Sequence, residues 1–230
     1  MSPGTETTLK TVALSKSYGG NVAIEPLDIS VAAGQVVALV GRNGSGKTTL
    51  IKMAAGLLEP TSGMLTVQGE ATGSLAARAL VSYLPDEPVL YDDLSVMEHI
   101  EVTCRLHGCE RWEESAATLL EVLGLCGRAN DLPSRFSRGM RQKTSVLLGL
   151  VRPFALLLVD EPFVGLDPGG RAAFVKLIKE AAWRGASVVV ATHELDYAAT
   201  ADRCVALRDG VVVYDGAPAM EDLQGLDELR

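Results

Sequence analysis

No apolar run in this 230-residue chain is long enough to cross a bilayer. The most hydrophobic region, VLLGLVRPFALLLV at 146–159, is interrupted by Arg152 and Pro153 and falls short of the ~20 consecutive apolar residues a spanning helix needs. Direct membrane insertion is therefore not expected. The N-terminus, MSPGTETTLK, lacks a basic start followed by an apolar stretch, so no secretion signal is read there. Basic residues are in deficit, 21 Lys and Arg against 29 Asp and Glu, for a net charge of -8. Affinity for a phosphate backbone comes mainly from Lys and Arg, so this balance argues against a non-specific nucleic-acid binder, although a local basic patch stays possible. The four cysteines, Cys104, Cys109, Cys126 and Cys204, form neither a C-x-x-C pair nor a metal-ligand spacing and are read as free thiols. Repeats and low-complexity tracts are absent.

The chain does have enough apolar residues, 47%, to bury a full core, and its length fits one domain with subdivisions. Residues 9–33 alternate apolar and polar around a Tyr-Gly-Gly turn, as a half-exposed antiparallel sheet would, and MLTVQG at 64–69 is expected to join it. From 95 to 124 the pattern is helical, opened by a capping box of Ser95 and Glu98. Three wholly apolar runs, VVALV (36–40), ALLLV (155–159) and SVVVA (187–191), read as adjacent strands of a buried parallel sheet. AAFVKLIKEAAWRG at 172–185 reads as a crossover helix stopped by Gly185, and Asp209-Gly210 signals a two-residue hairpin before a short acidic tail.

The carboxyl ends of the three apolar strands bear the motifs, and that is where open α/β sheets bind ligands. After VVALV comes GRNGSGKT, a G-x-x-x-x-G-K-[ST] phosphate loop in which Gly41, Asn43, Gly44, Ser45 and Gly46 wrap an anion. Glycines let successive N–H groups face a β-phosphate, Lys47 supplies a point charge, and the Thr48 hydroxyl reaches Mg²⁺. Residues 48–58, beginning Thr48-Thr49, read as a helix whose N-terminus points at the anion. Downstream lie FSRGM (136–140), ALLLVDEP (155–162), GLDP (165–168) and ATHE (191–194). Ser137 is a good N-cap and Gly139 permits close approach, so the helix that follows, read at 141–151, can turn its positive end toward an anion.

This ordered set resembles the ATP-binding subunits of ATP-binding-cassette (ABC) transporters over nearly the whole chain. The resemblance implies an α/β fold of the P-loop NTPase type, with a RecA-like parallel-sheet core, an N-terminal antiparallel β-subdomain and an inserted α-helical subdomain. It places one ATPase domain over 1–230, with β-subdomain strands at about 9–33 and 63–69, the helical subdomain at about 88–150 and the core elsewhere. ALLLVDEP resembles the Walker B motif, in which Asp160 joins the Mg²⁺ shell and Glu161 polarises the attacking water. FSRGM resembles the family signature LSGGQ, with Ser137 and Gly139 retained; in the family it completes the site of the opposite subunit. Tyr18 resembles the aromatic that stacks on adenine, His193 the residue contacting the γ-phosphate, and Asp167 the subunit-interface aspartate. Asp86 in VSYLPDEP stands where the family usually has glutamine. It still offers an oxygen to Mg²⁺. It also adds a negative charge, and two unit charges about 4 Å apart interact by about 4 kcal/mol at an effective dielectric of about 20.

The resemblance implies ATP and Mg²⁺ as ligands, a second ATP-binding subunit (a homodimer) and a separate transmembrane permease as partners, and residence on the cytoplasmic face of the plasma membrane. PDEPVLY followed by a short helical insertion is most similar to bacterial exporters of drugs, lipids or polysaccharides. An importer subunit shares every motif above. A non-transport ABC ATPase acting on ribosomes or DNA is a further alternative, disfavoured by the single cassette, the short interval from Lys47 to Ser137 and the acidic balance. A P-loop GTPase or kinase would leave FSRGM and ATHE unexplained, and no N-K-x-D motif is present. Nothing in the chain reads as a cargo site.

Overall fold

The computed structural model describes residues 6–218, so the acidic tail and the first residues of the N-terminal reading lie outside the described residues. The strands and helices run β1 (Thr7–Tyr18), β2 (Asn21–Leu27), β3 (Ser30–Ala32), β4 (Val36–Val40), α1 (Lys47–Ala54), β5 (Ser62–Val67) and β6 (Glu70–Ala71). They continue with α2 (Leu75–Leu80), β7 (Val81–Leu84), α3 (Val96–Leu106), α4 (Glu113–Val122), α5 (Arg138–Leu150) and β8 (Leu156–Asp160). The chain then forms α6 (Pro168–Trp183), β9 (Ser187–Thr192), α7 (Leu195–Ala198), β10 (Arg203–Arg208) and β11 (Val211–Gly216).

Two sheets result. The central one has the order β11-β10-β4-β9-β8-β7, parallel from β10 to β7 and closed at one edge by antiparallel β11. The three apolar runs are neighbours in it, as β4, β9 and β8, and every residue of each strand is buried. The second sheet is antiparallel, β2-β1-β5-β6 with β3 also on β1, so the segment around 64–69 does join the N-terminal strands.

Because strand side chains alternate, each central strand feeds two cores. Val36, Ala38 and Val40 of β4 face a cluster with α3, α4, α5 and α6, whereas Val37 and Leu39 face α1 and the antiparallel sheet. Helix α1 is thus clamped between the two sheets through Leu50, Ile51, Met53 and Ala54. It is shorter than the sequence reading over 48–58. It ends at Ala54, and the chain turns through Gly56 in a left-handed conformation (φ +69°).

The local signals near the other elements took the expected form. Ser95 and Glu98 form both halves of the capping box of α3. Gly185 follows α6 at φ +99°, and Asp209 and Gly210, both at positive φ, join Arg208 to Val211 across the hairpin. Helix α2 carries no clear periodic signal in sequence. It is six residues long, capped by Ser74 and bridging β6 to β7, with only Ala77 buried.

Candidate functional site

The phosphate loop leaves β4 at Val40 and delivers α1 with Gly46 as its N-cap. Gly46 has φ +105°, and a Cβ there would sit 2.8 Å from the Ala23 carbonyl oxygen, so the close approach of β2 to the loop demands glycine. No side chain caps α1, which leaves the N–H groups of its first turn directed at the loop. Ser45 Oγ is buried beside them without a hydrogen-bond partner. Asn43, Gly44 and Thr48 face solvent, and Thr49 is half-buried.

Lys47 is only 5% exposed and folds back over the loop, donating to Gly41 O at 2.6 Å and Arg42 O at 3.3 Å. Its Nζ lies 3.6 Å from Glu161 Oε1, which is buried and accepts no hydrogen bond. The other Glu161 oxygen is 2.9 Å from His193 Nδ1. Thr48 Oγ1 donates to Asp160 Oδ1 at 3.2 Å. The ends of β4, β8 and β9 thereby bring together Lys47, Thr48, Asp160, Glu161 and His193, as the motifs anticipated. Glu161 takes a left-handed backbone (φ +45°) while its N–H still bonds Ala191 O at 2.9 Å. For a residue with a Cβ this conformation costs about 1 kcal/mol or more, and it turns the carboxylate off the strand line toward Lys47.

Burial dominates the electrostatics of Asp160. Its carboxyl pKa is raised above the ordinary value, first by desolvation, opposed by the Thr48 hydrogen bond and Lys47, and raised further by Glu161 and Asp86. Exposed Asp86 is therefore close enough to act on Asp160. The same two carboxylates, after burial, push the Tyr83 phenol up to about 12. Tyr83 was not singled out from sequence, because a tyrosine in a strand carries no motif of its own.

A second group forms one layer away. Ser137 caps α5 by accepting from Met140 N–H at 3.3 Å, so the helix starts at Arg138, three residues before its sequence reading. A Cβ on Gly139 would stand 2.4 Å from Gly165 O, and only glycine lets this helix start touch the GLDP turn. Asp167 caps α6 through Gly170 N–H at 3.1 Å and pairs with Lys143 of α5 at 2.9 Å. The Lys143 bond holds its carboxyl below the usual range. Gln142, also unmarked in sequence, is buried and donates to Pro162 O at 3.3 Å, tying α5 to the segment just after Glu161. Ser137 and Asp167 are exposed, and among the described residues no hydrogen bond or ion pair joins either of them to the Lys47 cluster. Tyr18 ends β1, 51% exposed, with Lys16 Nζ 5.1 Å above its ring.

The donor set suits a hard cation that keeps water and phosphate oxygens in its shell. Thr48 and Asp160 present oxygen only, and among the described residues no group of three or more His, Cys, Asp or Glu gathers into a protein-only metal cage. The buried ammonium of Lys47, the uncapped start of α1 and the unpartnered Ser45 hydroxyl suit a phosphate chain.

The profile described as ABC transporter matches residues 24–164. The chain is 35% identical over 205 residues to the SkfA peptide export ATP-binding protein SkfE of Bacillus subtilis (strain 168), covering 88% of this chain and 86% of that one. It is 36% identical over 194 residues to the ABC-type transporter ATP-binding protein EcsA of the same organism, covering 83% and 77%. A solved structure of an ATP binding subunit of an ABC transporter superposes with a TM-score of 0.89 at 32% identity, over 97% of this chain and 95% of that one. Fold, site geometry and relatives agree: the chain belongs to the ABC transporter family, as one of its ATP-binding, ATP-hydrolysing members.

Proposed function

We propose that this chain is the ATPase subunit of a bacterial exporter, acting from the cytoplasmic face of the membrane on a separate transmembrane permease. The observation that carries the reading is the contact set Lys47–Glu161–His193 and Thr48–Asp160 at the carboxyl ends of three adjacent parallel strands. Export is favoured by the name of the relative SkfE, a peptide export ATP-binding protein at 35% identity. Among the described residues no helix is long and apolar enough to cross a membrane.

In this reading Lys47 and the amides of Gly41, Asn43, Gly44, Ser45, Gly46 and Thr49 hold the phosphates, and Tyr18 stacks on the adenine. Thr48, Asp160 and Asp86 would hold Mg²⁺, which would supply neutralisation of phosphate charge there. Glu161 accepts a proton from the attacking water, and His193, bonded to Glu161, positions that carboxylate and the γ-phosphate. Two copies close on two ATP molecules, Ser137, Gly139 and Asp167 of each meeting the nucleotide of the other, and reopen after hydrolysis. Residues 1–230 act as one ATPase domain whose β-rich, helical and core parts move the permease together.

The test is affinity purification of tagged Glu161→Gln from detergent-solubilised membranes with ATP and Mg²⁺, followed by mass spectrometry. Recovery of a multi-span membrane protein is expected. Recovery of ribosomal or DNA-bound factors without one would overturn the transporter assignment while leaving the ATPase intact.

A further inference from the structure

A buried cation lies well away from the phosphate loop. Arg152, just after α5, is 8% exposed and donates to the carbonyls of Val81, Ala79 (3.5 Å) and Pro153 (3.1 Å). No carboxylate pairs with it among the described residues, and burial lowers its pKa. The one group that works in the opposite direction, favouring the charged guanidinium, is Cys109.

Cys109 is placed by the end of α3. Gly108 turns left-handed (φ +66°), and Cys109 N–H bonds back to Cys104 O at 2.9 Å, the six-to-one bond of a Schellman motif. In that motif the residue beyond the glycine commonly lies over the residue five before it, here Cys104, and the Cys109 thiol itself reaches His107 O at 3.9 Å. Both thiols belong to the same apolar cluster, Cys104 wholly buried and Cys109 half-buried and open to solvent on one side. A 2.9 Å backbone bond between the two residues keeps their Cα atoms within the roughly 4–7 Å that a disulfide spans. The environments differ in kind. Burial first, and then the neighbouring Cys109 sulfur, push the Cys104 thiol up to about 11. Cys126 is exposed, but the nearby Arg128 is already paired with Asp131 at 2.9 Å, and Cys204 is buried.

We propose that Cys104 and Cys109 form a reversible thiol–disulfide modification site, with the more accessible Cys109 the attacking thiol, Cys104 the resolving thiol and a low-molecular-weight disulfide the oxidant. The Cys109 sulfur attacks one sulfur of the small disulfide as its proton passes to water, forming a mixed disulfide and expelling one small thiolate. The Cys104 sulfur then attacks the Cys109 sulfur as its proton passes to water, and the second small thiolate leaves. Two protein thiols are oxidised to one disulfide while one small disulfide is reduced to two thiols, so two electrons are exchanged and nothing else is consumed. Cys104 is shielded from outside oxidant and reacts only through its neighbour.

The test uses the full chain treated with oxidised glutathione and mapped by mass spectrometry under non-reducing conditions. A Cys104–Cys109 linked peptide, two hydrogens lighter than the dithiol and restored by excess reduced glutathione, is expected. Cys104→Ala should instead trap a stable glutathione adduct on Cys109. Iodoacetamide alkylation supplies a readout independent of that variant: in the untreated chain Cys109 should react about fivefold or more faster than buried Cys104, and prior oxidation should protect both. Alkylation of Cys104 at the same rate as Cys109 or faster, or a persistent adduct on Cys109 with Cys104 still free in the unsubstituted chain, would overturn the proposal.

Discussion

Lys47 Nζ stands 3.6 Å from Glu161 Oε1, two opposite charges facing each other across the carboxyl ends of β4 and β8, with the ammonium 5% and the carboxylate 16% exposed. The ammonium is also held by two loop carbonyls and the carboxylate by His193, so each charge has a partner before any phosphate enters. Removing either one takes from the other its nearest opposite charge and leaves it with those remaining partners alone.

Lys47→Ala should weaken ATP binding by about tenfold or more, the worth of one or two charge-assisted hydrogen bonds. Titration with a fluorescent ATP analogue measures it. Unchanged affinity would remove Lys47 from the phosphate site.

Glu161→Gln should keep nucleotide binding and lose about 10²-fold or more of turnover, since a positioned base contributes on that scale. With ATP and Mg²⁺ present, gel filtration should show the variant accumulating as a dimer. Ordinary steady-state hydrolysis would instead place the proton acceptor elsewhere.

Asp86→Gln should flatten the Mg²⁺ dependence of hydrolysis. Asp86 already acts on Asp160 through space, so its charge belongs to the same field as the cation's ligands. ATPase rates across a Mg²⁺ series decide the matter, and superimposable curves would show that Asp86 has no part in cation binding.

Asp160→Asn should raise the melting temperature in metal-free buffer at neutral pH. The folded carboxyl has its pKa raised, chiefly by burial, so ionising it works against the fold. Stability from the protonated form is fully present below the unfolded pKa and is lost as pH rises through the raised folded one. The advantage of the variant should accordingly grow with pH through that window and shrink as pH falls toward the ordinary value of 3.8. Melting curves over a pH series measure it, and a gap that widened at low pH would reverse the sign.

Gly139→Ala should destabilise the chain by about 1–3 kcal/mol, because its new methyl group meets backbone rather than a movable side chain. Denaturant unfolding reads the cost, and ATPase activity should fall with it as the GLDP turn shifts. An unperturbed midpoint would mean that α5 and the turn at Gly165 separate easily.

Much of this was legible in the residues themselves. A short, nearly continuous apolar run reads as a strand buried on both faces, and VVALV, ALLLV and SVVVA supply β4, β8 and β9, in which every residue is buried. Ser95, Glu98, Asp209 and Gly210 act through bonds or torsions within a few residues, so their effects needed no tertiary information. Lys47, Thr48, Asp160, Glu161 and His193 were each named by a motif at a strand end. Tertiary structure decided what those residues do to one another: that Glu161 leaves the strand in a left-handed turn to reach Lys47, and that Asp86 and Asp160 raise Tyr83. It also decided that α1 stops at Ala54 and that Arg152 is buried against the carbonyls of Ala79 and Val81. Such effects depend on contacts between segments far apart in the chain and on burial, which no local pattern of residue types encodes; the sequence alone determined which groups arrive, and packing determined which charges are left to face each other.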